Sequence, residues 1–434
     1  MAFLAGYVWH TFDAGSFGTA LFLGTGAVLF VMSVPWSTAF HKVFAAVAFA
    51  ALAVAVVSGK FDLTDFLEGM PTYFGIVAVL LVLSAAGYPI RAARYEAQIR
   101  ALMAALTRRG VGVKATSGVL GHVLGAVLDV GSFVLVDVIT ARAAPKERLE
   151  ALKWAGRAFS FAPLWTNLNL LTATTVTLTG ISYPGLLAVT LPFVFLGLGA
   201  TLFAAQREGG EVENTLNAPL DRGAAAVLLY PVLLVATVAL VNVLLPTLSL
   251  TATIAVTVAV VVILIALLAT ALTRRSSPLT RLVAETRGAL TASHSEFALF
   301  GAAGILVISL QALGALAPVG DFLSTLPVPL VAPALAAIMA VGFVAGIHVI
   351  PMVLLLDAAF PLDGSSTPLL WAAAILLGSQ AALLLTPFSS AVTMLSRLSG
   401  LHPLEIGPRR NWRFGLAVML AGAAYLALLT FLLL

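Results

Sequence analysis

The chain has 434 residues, of which 61% are hydrophobic and 10% charged, and its mean hydropathy is +1.06. A soluble domain carries roughly a quarter of its residues as charges, so most of this surface must face lipid, and at about 20 apolar residues per crossing the length allows roughly ten crossings. The net charge of +4 does not mark a nucleic-acid binder, since Lys and Arg gather in short loops as topology signals do, and the absence of Cys excludes disulfides, thiol chemistry and Cys-ligated metals.

No cleavable signal peptide is expected, because Met1–Ser16 lacks a basic n-region and carries Asp13. Apolar runs follow at 14–34, 41–58 and 72–90. The basic stretch Arg91–Lys114 places Ile99, Leu102, Met103 and Leu106 at helical spacing, which suits a helix lying in the interface. The run 117–140 contains Asp129 and Asp137 and leads into a basic loop with Arg142, Lys146, Arg148, Lys153 and Arg157. An apolar segment at 158–180 is interrupted around Pro163-Leu-Trp-Thr-Asn167, and the run 183–205 closes this half. Beyond the polar stretch Gln206–Arg222, runs lie near 224–245, 251–272 and 297–317, with a basic loop (Arg274, Arg275, Arg281, Arg287) after the second. A Gly- and Pro-punctuated stretch at 328–360 precedes the run 367–396, interrupted by Thr386-Pro-Phe-Ser-Ser390, and a last helix at 412–434.

Two landmarks recur in order: 41 residues separate His122 from Pro163, and 39 separate His348 from Pro387. Loop charge tests the repeat independently. With the basic loops on the cytoplasmic side, Arg91–Lys114 and Arg142–Arg157 share a side, so 117–140 must enter and return as a hairpin or lie in the interface. The acidic loops, with Asp62, Asp65 and Glu68 in one half and Asp357 and Asp363 in the other, fall outside, and 328–360 then starts and ends outside. The expected fold is therefore an all-α polytopic membrane protein of two inverted repeats, each with about five transmembrane helices plus a re-entrant hairpin, and with interrupted helices. Residues 1–205 form the first repeat, 206–223 a linker, and 224–434 the second.

Paired breaks in corresponding segments point to a transporter's binding site. Here Pro163 and Pro387 mark the breaks, and small polar residues surround them: Thr166, Asn167 and Asn169 in one, Thr386, Ser389, Ser390 and Thr393 in the other. Exposed helix N-termini favour an anion, while freed carbonyls suit Na⁺. The competing reading is that these side chains only join helices. Asp129 and Ser132 fall near the expected hairpin tip, where the carboxylate could take a cation or proton; Asp137, nearer the cytoplasmic end, reads as solvated or paired. His122 and His348 are candidate proton carriers or structural hydrogen-bonders. Gln311 and Gln380 face a cavity or bridge helices. No phosphate loop, HExxH motif or acidic cluster is present, so neither an ATP site nor a metal centre beyond Na⁺ is expected.

In this layout of paired repeats, interfacial helix, hairpins and polar breaks, the chain resembles the ion transporter superfamily, which includes the divalent anion/sodium symporters. Their Ser-Asn-Thr motifs have Thr166-Asn167 and Ser389-Ser390 as nearest counterparts here, neither a full match. The resemblance implies elevator-type alternating access and a scaffold able to form a homodimer. The expected function is secondary active transport of a small carboxylate-like organic anion coupled to Na⁺ or H⁺, in a bacterial inner membrane, with no cofactor and no catalysis. Two alternatives stand beside it: a cation/proton antiporter using Asp129, and a membrane-embedded enzyme or lipid-handling protein using His122, His348 and Asp129.

Overall fold

The computed structural model describes residues 2–12, 15–89, 96–141, 143–208, 222–273, 277–360 and 367–433, and the regular structure of these residues is helical. Arg91, Arg94, Arg142, Arg274, Arg275, Asp363 and most of the expected linker (209–221) lie outside the described residues. The helices of the first half are α1 (Ala2–Phe12), α2 (Ser16–Ser33), α3 (Ala39–Val57), α4 (Leu63–Ala86) and α5 (Glu96–Arg108). They continue with α6 (Val113–Leu128), α7 (Gly131–Thr140), α8 (Pro145–Phe159), α9 (Leu170–Thr179) and α10 (Tyr183–Arg207). The second half holds α11 (Arg222–Leu244), α12 (Leu250–Thr273), α13 (Ser277–Ala292), α14 (His294–Leu313) and α15 (Ala317–Thr325). It ends with α16 (Val328–Val344), α17 (Val349–Ala359), α18 (Pro368–Ala382), α19 (Ser390–Ser399) and α20 (Arg410–Leu433).

Among the described residues, seven helices are long and apolar enough to span a bilayer, from Phe17–Trp36 to Glu405–Leu433, and several shorter apolar helices accompany them. A 24-residue helix such as α4 is about 36 Å long at 1.5 Å per residue, more than the hydrocarbon thickness of about 30 Å. The chain is an integral membrane protein of the all-α, polytopic kind.

Two compact units cut across the sequence halves, each drawing on both. One comprises 1–89, 241–326 and 353–361. Within it, α3 packs on α14 and α4 packs on both α12 and α14. Apolar transfer does little to join helices in lipid, so close contact depends on small residues. Gly301 lies against the Phe30 ring, and Gly304 against Met70 and Tyr73, at distances that leave no room for a Cβ. Local signals set the helix ends: Asp62 accepts from the Thr64 N–H (2.6 Å) at the start of α4, and Gly314 (φ 70°) closes α14.

The other unit comprises 90–240, 327–352 and 362–434. Here α6 and α7 lie side by side, joined by the turn at Asp129-Val130, and both pack on α8. The turn falls where Asp129-Val-Gly-Ser132 suggests it. In the second half, α16 packs on α18, and 345–348 lead from α16 to the first turn of α17, whose remainder belongs to the first unit. Glycines bring α6 and α8, and likewise α16 and α18, into backbone contact. A Cβ on Gly121 would stand 2.7 Å from the Ala155 carbonyl oxygen, and one on Gly378 would stand 2.2 Å from that of Ala336.

Two expected basic loops are helices instead. Residues 145–159 form α8, and Arg281 and Arg287 lie on α13. The reason is amphipathic spacing: Ala151, Leu152, Ala155 and Ala158 bury one face of α8 while Lys146 and Arg148 leave it on the other. The short helix α1, packed on α2, was not foreseen from the sequence.

Candidate functional site

Both expected breaks exist, and they are built alike. After α8, the chain passes through a 3₁₀ turn (Ala162–Leu164) and further turns at 165–169 before α9; after α18, it turns at 383–389 before α19. A constant shift of 220 residues superimposes the local bonding. The N–H of Thr166 bonds to the Ala162 carbonyl (3.1 Å), and that of Thr386 to Ala382 (3.2 Å). The Thr166 hydroxyl accepts from the Leu168 N–H (3.2 Å), and the Thr386 hydroxyl from Phe388 (3.2 Å). Asn169 caps α9 by accepting from Leu171 N–H (3.0 Å), and Ser389 caps α19 by accepting from Val392 N–H (3.1 Å). Both short helices run ten residues and end at left-handed glycines, Gly180 (φ 65°) and Gly400 (φ 71°), where a side chain would be strained.

This register corrects the pairing of the two prolines. Pro163 sits inside the 3₁₀ turn, four residues ahead of the position that Pro387 occupies, and the counterpart of Pro387 is Asn167. The breaks are therefore not chemically equivalent. Asn167 is fully buried, donates from Nδ2 to the Val235 carbonyl (3.0 Å), and leaves Oδ1 without a hydrogen bond among the described residues. Ser390 is exposed at the first turn of α19, and Thr393 is half-buried one turn on, with its N–H bonded to the Ser389 carbonyl (2.9 Å).

The short and long pieces cross: α9 packs on α18, and α19 packs on α8. On α9 the Thr174 and Thr175 hydroxyls, and on α18 Gln380 Oε1, are buried with no hydrogen-bond partner among the described residues. An unmade hydrogen bond on a buried group costs about 1–3 kcal/mol, so these oxygens and Asn167 Oδ1 are where a polar solute or ion gains most. Thr174 and Thr175 were not singled out from the sequence, although five Thr in the ten residues of α9 are a legible signal. Gln311, by contrast, is exposed near the end of α14.

The hairpin turn adjoins the first break, because the Thr166 hydroxyl donates to the Ala126 carbonyl (2.9 Å) near the end of α6. Asp129, solvent-accessible at the turn, has φ 50° and ψ −137°, and Val130 has φ −61° and ψ −16°. These are the central positions of a type II′ turn, whose first residue is normally Gly. Asp129 is the one non-glycine with positive φ among the described residues, and holding it there costs about 1–3 kcal/mol. The buried Ser132 hydroxyl donates to the Asp129 carbonyl (2.8 Å), so Ser132 braces the turn.

His122 and His348 do not occupy matching places. The buried His122 ring bridges α6 to the break: Nδ1 donates to the Ala158 carbonyl (3.0 Å), and Nε2 accepts from the Trp165 indole (3.0 Å), an assignment fixed by the indole being donor-only. His348 is exposed in the turn before α17, where Nδ1 accepts from the Ile350 N–H (3.4 Å). Asp137 is paired, as expected, and with a residue at the start of α8. Arg148 donates from Nε to Oδ1 (2.5 Å) and from Nη2 to Oδ2 (2.8 Å), and also reaches the Leu398 carbonyl (3.3 Å). Hydrogen bonding to Asp137, opposed by partial burial and joined by the carboxylate's charge, holds the guanidinium above its ordinary pKa. Among the described residues, no group of three or more His, Asp or Glu gathers in a metal-holding arrangement.

Long apolar helices combined with matched interrupted ones define an all-α polytopic membrane protein. The chain shares the fold of the YdaH transporter of Alcanivorax borkumensis, at 16% identity and a TM-score of 0.52, over 91% of this chain and 97% of that one. No protein-family profile matches the sequence, and no curated protein matches it.

Proposed function

We propose that the chain is a secondary active transporter of a small carboxylate-like organic anion, coupled to Na⁺ or H⁺ and resident in a bacterial inner membrane. The observation that carries this reading is the pair of breaks related by one 220-residue shift, each with a threonine turn and a capped helix start. Capped N-termini still direct free N–H groups and the positive end of the helix dipole outward, which suits a carboxylate. The freed carbonyls and Asn167 Oδ1 suit Na⁺.

The same shift supports two inverted repeats, 1–205 and 224–434, each of five crossings and a hairpin, because an odd number of crossings reverses the second repeat. In the elevator-type cycle we propose, the unit holding the α6–α7 hairpin, α16 and both breaks moves as the transport body, and the unit built on α3, α4, α12 and α14 is the scaffold, through which a homodimer forms. A second reading, cation/proton antiport, is favoured by the strained, accessible carboxylate of Asp129. The enzyme reading loses ground, since both ring nitrogens of His122 are engaged in hydrogen bonds.

Purified protein in liposomes tests these readings. Radiolabelled mono- and dicarboxylates would be screened under imposed Na⁺ and H⁺ gradients. Uptake that collapses when both gradients are removed supports coupled symport. Uptake indifferent to both overturns it, and cation-driven proton flux without organic solute replaces it with antiport.

A further inference from the structure

A cleft of about 1080 Å³ opens between α8, α10 and α20, within the unit that carries the breaks. None of the polar groups of the breaks lines it. Its floor is apolar and stepped with small side chains, including Gly197, Ala200, Ala421 and Ala424, with Phe193 and Leu428 deeper along the helices. One end is cationic: Arg157, Arg409, Arg410 and Arg413 line it, against a single acid, Glu208.

The charges are unevenly compensated. Glu208 is already engaged by the Trp154 indole (3.3 Å), Lys153 (3.6 Å) and Lys114 (3.8 Å). Arg410 is paired with Glu405 (3.2 Å). Arg157 is fixed by Nε to Asn411 Oδ1 (2.9 Å) and Nη2 to the Arg410 carbonyl (3.1 Å), with its guanidinium over the Trp154 ring (4.6 Å), and its Nη1 takes no acceptor among the described residues. Arg409 and Arg413 form no ion pair among the described residues, and both are exposed. A rigid, partly desolvated Arg thus stands beside two uncompensated ones, a donor set matched to a phosphate.

We infer that this cleft is a binding site for an anionic phospholipid of the surrounding bilayer, with the headgroup phosphate on Arg157, Arg409 and Arg413 and an acyl chain along the trough between α10 and α20. From Arg413 to Leu428 the helix runs about 22 Å, enough to accompany a chain through one hydrocarbon leaflet of about 15 Å. Basic pockets between membrane helices at the interface favour acidic headgroups. A free small anion would leave the apolar trough unfilled. A second copy in a symmetric contact would set like-charged rims against each other.

Native mass spectrometry of the full-length protein in non-ionic detergent tests the site, with phosphatidylglycerol, phosphatidylcholine of the same chains, and inorganic phosphate as probes. One phosphatidylglycerol per chain is expected to be retained over phosphatidylcholine. The Arg409→Gln/Arg413→Gln double variant should weaken retention about 30-fold, the effect of two interfacial cations. Ala421→Trp, which fills the trough and leaves every charge in place, should also abolish retention, and it decides the question alone if the double variant does not fold. Equal retention of both lipids, retention unaffected by either variant, or displacement by phosphate at lipid-like concentration overturns the proposal. So does a dimer that Ala421→Trp dissociates while phosphatidylglycerol stays bound.

Discussion

Replacing Asp129 with glycine should strengthen the fold. The residue sits at φ 50°, ψ −137°, a conformation glycine adopts freely and an L side chain does not. Relief of about 1–3 kcal/mol of strain is offset by about 0.4–1 kcal/mol for the greater freedom of glycine in the unfolded chain. The net gain is about 0.5–2 kcal/mol, because the backbone bonds that brace the turn, Ser132 N–H (3.1 Å) and Oγ–H (2.8 Å) to the Asp129 carbonyl, do not use the side chain. Asp129→Asn should stay close to wild type, since Asn tolerates positive φ better than most residues, and Asp129→Ala should fall below it. Unfolding in mild detergent, followed by tryptophan fluorescence at one protein and detergent concentration, gives the ranking. A glycine variant less stable than wild type would refute the strain argument. Proton flux in liposomes adds a functional arm: if Asp129→Asn abolishes cation-driven proton movement while keeping its stability, the antiport reading gains.

Two further variants probe the packing around the breaks. Gly378→Ala should destabilise by about 1–3 kcal/mol, an overpacking cost, because its Cβ would lie 2.2 Å from the Ala336 carbonyl oxygen, where backbone must move; wild-type stability in the same unfolding assay would contradict the close approach of α16 and α18. His122→Phe should lower stability by about 1–3 kcal/mol by stranding the Ala158 carbonyl and the Trp165 indole, and it should leave the pH dependence of transport unchanged. A lost pH dependence would return His122 to the role of proton carrier.

The breaks were legible in the sequence because proline next to small polar residues interrupts an apolar run in few ways. The hairpin turn was legible too, since loop charge required 117–140 to reverse and Asp129-Val-Gly offered the place. Register was not. Counting from His122 and His348 aligned Pro163 with Pro387, whereas the backbone bonding aligns Asn167 with Pro387 and leaves the two histidines in different surroundings. A proline can end a helix at its own position or a few residues away, so proline spacing does not fix the turn that follows. The basic segment before the first break resembles a loop in sequence because its charges alone point to solvent. Its apolar residues, Leu149, Leu152 and Ala155, recur at helical spacing and seat α8 against α6. Thr174 and Thr175 escaped notice because a threonine in a membrane helix ordinarily bonds its own backbone one turn back, and these two do not.

The most direct measurement is the initial rate of gradient-driven solute uptake in liposomes by wild type, Asn167→Ala and Ser389→Ala, reconstituted at equal folded density. If the two breaks form the site, each substitution should cut the rate about 10-fold or more at that matched density, the equivalent of losing about 1.4 kcal/mol of interaction. Uptake unchanged in both variants, or lost only in step with loss of folded protein, would mean that the breaks merely hold helices together.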